Sequence, residues 1–232
     1  MAGLFIVLEG GEGCGKTTQT RLLYSRLMRE GHAPLLIHEP GGTPLGEQVR
    51  RLLMAERGGQ GRRQAGMGAL TELLLFSAAR AELVSKVLRP ALEEGQTVIC
   101  DRFTQSTVAY QGYGRGVPLE TVATLNSLAT GGLKPDVVVL LDMLPEDALR
   151  RVSAQTSLLA EEGVGAQVGR QDQEGLRRFE GEPLAFHRRV RQGYLEQASA
   201  DKERWLVVDA AQSAEAVAEA VWKRVRGLLA KP

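Results

Sequence analysis

The feature that most constrains this chain is the octapeptide Gly10-Gly11-Glu12-Gly13-Cys14-Gly15-Lys16-Thr17, which fits the pattern G-x-x-x-x-G-K-[ST]. The pattern alone occurs by chance. It gains force from context, because it follows the apolar run Leu4 to Leu8 directly and opens an amphipathic stretch from Lys16 to about Glu30, the strand-turn-helix setting in which it forms a phosphate-binding loop. Glycines let the backbone fold so tightly that successive N–H groups converge on phosphate oxygens, while the helix behind aims its positive N-terminal end at the same point. The spacing predicts a nucleotide cradle of Gly10, Gly11, Glu12, Gly13, Cys14, Gly15, Lys16, Thr17 and Thr18. In it Lys16 reaches the β- and γ-phosphates and Thr17 offers a hydroxyl to Mg²⁺. Only six of the 29 basic residues are Lys, so a Lys at this one position is not a compositional accident.

Four further apolar runs punctuate the chain: Leu35 to Ile37, Thr97 to Cys100, Val137 to Leu141 and Trp205 to Val208. Their continuous apolar character, with helical patterns between them, predicts strands covered on both faces. The expected architecture is therefore an α/β fold, a five-stranded parallel sheet flanked by helices, with the functional loops at the carboxyl ends of the strands. The 232 residues suit a single domain over 1–232. Net charge is +1, too balanced for an electrostatic nucleic-acid binder, so no nucleic-acid partner is expected. No apolar run approaches a membrane-spanning length, and two cysteines are too few for a disulfide framework, so a cytoplasmic protein without a membrane partner is expected.

Helical periodicity is clear in Leu22, Leu23, Leu27 and Met28, and in Val217, Val221, Val225, Leu228 and Leu229 behind a capping Ser213. Between Leu70 and Glu94 a helical stretch is expected to be interrupted by Pro90, and its apolar core, Leu73 to Phe76, reads as buried in the domain or in a subunit interface. Two segments look irregular. They are Arg57 to Gly68 and Ser153 to Gly175, each read as a surface insertion or a mobile lid, the lid at about 152–175.

A P-loop leaves GTPases, ATPases, motor domains and small-molecule kinases open. The guanine-reading motif N-K-x-D needs an Asn followed by Lys, but the single Asn of the chain, Asn126, precedes Ser127. After the third strand comes Asp101-Arg102, in which a carboxylate at a strand end is placed to hold the water shell of Mg²⁺ and the guanidinium fork to grip a phosphate. Phe76 and Arg80, four apart on one helical face, suit a base platform with a hydrogen-bond donor.

Together with this P-loop, the segments Glu39-Pro40-Gly41-Gly42-Thr43, Leu75-Phe76-Ser77-Ala78-Ala79-Arg80 and Asp101 to Gly116 resemble the thymidylate kinase family, with Asp142 and Phe179-Glu180 through Tyr194-Leu195 in register. The resemblance implies ATP-dependent phosphorylation of dTMP to dTDP in the supply of dTTP, ATP and dTMP as small-molecule partners, Mg²⁺ as cofactor, and a homodimer. It implies that Phe76 stacks on thymine and Arg80 donates to a thymine carbonyl. It further implies that Arg50 and Arg102 hold the acceptor phosphate, that Glu12 takes the sugar 3′-hydroxyl, and that Ser106, Thr107, Tyr110 and Gln111 close around base and deoxyribose. Catalytic roles are expected for Lys16, Asp101, Arg102, Arg151 and Arg170, with Thr17 and Asp101 at the metal. Two departures stand out: His38 replaces the family's Arg before Glu-Pro-Gly-Gly, and an Arg-x-Arg-x-Arg lid is reduced to Arg151, Ser153 and Gln155. Within 152–175 Arg170 is the only Arg, with Arg177 and Arg178 as rivals at the next helix. A deoxynucleoside kinase and a nucleotide-binding regulatory module without turnover are the alternatives.

Overall fold

The computed structural model describes residues 3–54, 67–161 and 179–230. Five parallel strands, β1 (Phe5–Glu9), β2 (Leu35–His38), β3 (Val98–Asp101), β4 (Val137–Asp142) and β5 (Trp205–Asp209), form one sheet in the order β2-β3-β1-β4-β5. All are short and mostly apolar, and all lie within two residues of the runs predicted. Because side chains alternate along a strand, β1 feeds two cores. Phe5 and Val7 enter the layer shared with Leu83, Tyr110, Phe186 and Tyr194, while Ile6 and Leu8 enter the layer shared with Leu23, Leu27, Val221 and Val225.

Among the described residues the α-helices are α1 (Lys16–Arg29), α2 (Pro44–Met54), α3 (Ala69–Leu83), α4 (Arg89–Glu93), α5 (Thr104–Thr107), which continues as a π-helical segment Val108–Gly114, α6 (Leu119–Thr130), α7 (Pro145–Glu161), α8 (Leu184–Ala200) and α9 (Ala214–Leu229). Ser213 caps α9, accepting from the Ala216 N–H. No described helix is long and apolar enough to cross a membrane.

Two local expectations change. The stretch from Ala69 to Glu93 is not cut at Pro90; a π-helical turn, Val84–Leu88, widens it just before, with the Arg89 N–H donating to Val84 O. Proline has no N–H and its ring crowds the carbonyl four residues back, and one wide turn accommodates both without a break. The segment from Ser153 is not irregular at its start either: α7 runs on to Glu161, because Ser153 to Glu161 contains no glycine or proline to stop a helix begun at Pro145. The rest of the expected lid, and most of Arg57 to Gly68, lie outside the described residues.

Candidate active site

The site gathers at the carboxyl ends of β1, β3 and β4. Pairing brings Leu8 beside Asp101 and Glu9 beside Leu140, so the P-loop leaves the sheet between the Asp101 turn and β4. Gly13 adopts φ 74°, and a methyl group there would stand 2.3 Å from Ala148 O and 2.8 Å from Val152 Cγ2. The loop thus packs on α7 too closely for any side chain. Gly15 caps α1 in a left-handed conformation and supplies no side-chain acceptor, and the first N–H groups of a helix have no partner within it. Thr17 and Thr18 are exposed there, and Lys16 curls back over the loop, its Nζ donating to Gly10 O at 3.1 Å and Gly11 O at 2.7 Å.

Asp101 ends β3 with one carboxylate oxygen, Oδ1, buried and without a hydrogen-bond partner. Arg102 then turns at φ 72°, the one positive φ of a residue other than glycine among the described residues. A bulky residue holds that conformation only where its surroundings impose it. The turn carries the guanidinium over the P-loop, where Nη2 donates to Glu12 Oε1 at 2.8 Å and Tyr110 OH at 3.3 Å. Nη1 donates to Gly10 O at 3.2 Å, Ser106 Oγ at 3.2 Å and Tyr194 OH at 3.3 Å. Burial opposes the charge on Arg102, but Glu12, Tyr110, Tyr194 and Asp101 outweigh it and push its pKa upward. Burial likewise pushes Glu12 up, yet Arg102, Lys16 and the Tyr110 hydroxyl, which donates to Oε1 at 2.8 Å, hold its carboxyl below the ordinary value.

A second cluster lies across the Phe103 turn. Arg80 is fully buried; its Nε donates to Glu39 Oε2 at 2.9 Å and Oε1 at 3.2 Å, Nη1 to Asn126 Oδ1 at 2.8 Å, and Nη2 to Thr107 Oγ1 at 2.8 Å and Phe103 O at 3.2 Å. Phe76 is partly buried against the cores on the same helix. Gln111 donates to Glu72 Oε1 at 2.7 Å, and Arg50 to Pro40 O at 3.1 Å. Arg151 donates to Ala210 O at 2.9 Å and is tied to the loop after β5 rather than to the P-loop. Arg170, Arg177 and Arg178 lie outside the described residues.

Glu39 and Asp142 stood out in the sequence only as part of the resemblance, with no role of their own, and neither Glu9 nor the bidentate pair of Arg191 with Asp142, 2.8 Å at each contact, was expected. Glu9 and Glu39 each close or directly follow an apolar strand, the same signal that drew attention to Asp101, and both are buried.

A P-loop opening a helix, faced by an Asp-Arg turn from the neighbouring parallel strand, defines a P-loop kinase. The chain belongs to the thymidylate kinase family: the model of that family, "Thymidylate kinase", matches residues 8–221. It is 47% identical to the thymidylate kinase of Synechococcus sp. (strain JA-3-3Ab), covering 96% of this chain and 95% of that one. It is 42% identical to the thymidylate kinase of Geotalea uraniireducens (strain Rf4), covering 99% of each. The crystal structure of thymidylate kinase from Ehrlichia chaffeensis superposes with a TM-score of 0.70 at 30% identity, covering 97% of this chain and 99% of that one.

Proposed function

We propose that this chain transfers the γ-phosphoryl group of ATP to dTMP, giving dTDP, by direct in-line displacement. The observation that carries the reading is Arg102, a partly buried cation held at the mouth of the P-loop by a strained turn, where an acceptor phosphate would meet the donor. Phosphoryl transfer asks for alignment and charge neutralisation, and a phosphate acceptor needs no general base. Lys16 would leave the Gly10 and Gly11 carbonyls for the β- and γ-phosphates, while Arg102 and Arg50 hold the acceptor phosphate. Glu12 would take the 3′-hydroxyl, with Tyr110 against the sugar and Ser106, Thr107 and Gln111 around it. Phe76 would stack on the thymine. The contacts above occupy four of the five N–H groups of Arg80, which leaves one on Nη1 for a base carbonyl.

Mg²⁺ fits the donors present: the exposed Thr17 hydroxyl and the unpaired Asp101 oxygen are hard oxygen ligands for the ion or its waters. When bound with ATP, it would supply neutralising charge at the β- and γ-phosphates. Arg170 would supply lid charge in the transition state, and Arg151 would lie near the ATP.

We also read the chain as a single domain working in the cytoplasm as a homodimer. Leu70, Leu74, Ala78 and Ala81 form an exposed apolar row along α3, and the helices that pack on α3 each add an exposed leucine, Leu52 on α2 and Leu128 on α6. ADP release measured with dTMP, thymidine, dUMP and AMP tests the reaction. Turnover is expected with dTMP and Mg²⁺; a preference for thymidine would refute the phosphate acceptor, and no turnover with any of them would refute the kinase.

A further inference from the structure

Glu9, the last residue of β1, is fully buried and accepts four hydrogen bonds. Oε1 receives two backbone donors, Phe103 N at 2.8 Å and Ser106 N at 3.1 Å; Oε2 receives two hydroxyls, Ser106 Oγ at 2.6 Å and Tyr194 OH at 2.9 Å. The same two hydroxyl oxygens accept from Arg102 Nη1. They also lie 2.8 Å from each other. Each hydroxyl has one proton to give. Since the guanidinium can only donate, both hydroxyls must turn lone pairs to it and send their protons toward the carboxylate or each other.

We infer that Glu9 is a positioning residue for the acceptor site: by drawing the Ser106 and Tyr194 hydroxyl protons away from Arg102, it holds the guanidinium where the acceptor phosphate arrives. The inference rests on the reading of Arg102 as the phosphate grip. Glu9 acts twice, because its other oxygen ties down the N–H groups just after the strained Arg102 backbone. Burial pushes its carboxyl up, and Arg102, the Ser106 and Tyr194 hydroxyls and the Phe103 N–H work against that rise. No neutral isostere can copy this arrangement. An amide in either orientation puts its NH₂ against two donors, the Phe103 and Ser106 N–H groups on one side, or hydroxyls already receiving protons from Arg102 on the other.

Glu9 adjoins the P-loop, so a merely structural role would weaken ATP and dTMP alike. The test is steady-state kinetics of Glu9→Gln with each substrate varied in turn. The expected result is a KM for dTMP raised about tenfold with a KM for ATP within about twofold of the wild type. An equal rise in both, or an unchanged dTMP value, would overturn the assignment. If Glu9→Gln fails to fold, Tyr194→Phe, which removes only a hydroxyl shared by Glu9 and Arg102, carries the test: a KM rise confined to dTMP supports the relay and no rise refutes it. Arg102→Ala separates the two layers of argument. Should it leave the dTMP KM unchanged, the phosphate grip itself is wrong; should it raise that KM while Glu9→Gln does not, only the role of Glu9 falls.

Discussion

Arg80 and Glu39 form a buried ion pair, Nη2 to Oε2 2.7 Å apart, that joins the last turn of α3 to the loop after β2. Burial pushes the Glu39 carboxyl up and Arg80 is the chief group pulling it down, so each partner depends on the other to be tolerated there. Arg80→Met keeps most of the volume and strands the carboxylate. Urea unfolding is expected to show a loss of about 3–5 kcal/mol, the usual result of orphaning one member of a buried pair. A loss below about 1 kcal/mol would mean that water reaches Glu39.

Gly13→Ala should be costly out of proportion to one methyl group. The added Cβ would meet backbone, Ala148 O, at 2.3 Å, and φ 74° is strained for alanine, so loop and α7 must part. The expected outcome is a lower thermal midpoint together with an ATP KM raised on the order of tenfold or more. An unaltered ATP KM would show that the loop relaxes without consequence.

Lys16→Ala removes a side chain whose amine bonds only loop carbonyls, Gly10 O and Gly11 O, so the fold should survive. Turnover should fall by about 10³, the scale of losing one cation from a phosphoryl-transfer site. Rapid-quench measurement of dTDP formation checks it; a rate within tenfold of wild type would remove Lys16 from the chemistry.

The pH dependence of stability carries a sign. The Glu12 carboxyl is held below its usual 4.5, so its contribution is present above 4.5 and is lost as pH falls through the lower folded value. Glu9 and Glu39 are raised and run the other way, losing stability as pH rises, but they are common to both proteins in a comparison. The stability advantage of wild type over Glu12→Gln is therefore expected to shrink as pH drops from about 6 to about 3 in denaturant titrations. An advantage that grows on acidification would reverse the assignment.

Leu74→Glu places a charge in the exposed apolar row of α3 without touching either core. Light scattering at micromolar concentration should show a dimer for the wild type and a monomer for the variant. A wild type that is already monomeric would refute the dimer.

The sequence by itself determined what depends on neighbours along the chain. Apolar runs specified the five strands, a helical period and Ser213 specified α9, and the glycines before Lys16 specified a loop that can turn its amides to phosphate. Those properties are settled over a few residues by backbone sterics and periodicity, and so the Asp101-Arg102 turn could be placed at a strand end without knowing the fold. What Arg102 meets there was not legible. Glu12 is 90 residues away, and Glu9 reaches Tyr194 across 185, distances that only the strand order β2-β3-β1-β4-β5 and the packing of α8 close up. The same holds for Arg80, whose helical face announced a donor but whose partners Glu39 and Asn126 come from other elements. Buried polar groups must find partners wherever packing brings them, and that choice belongs to the tertiary structure, because it is decided by which carboxylates the folded chain takes out of water together.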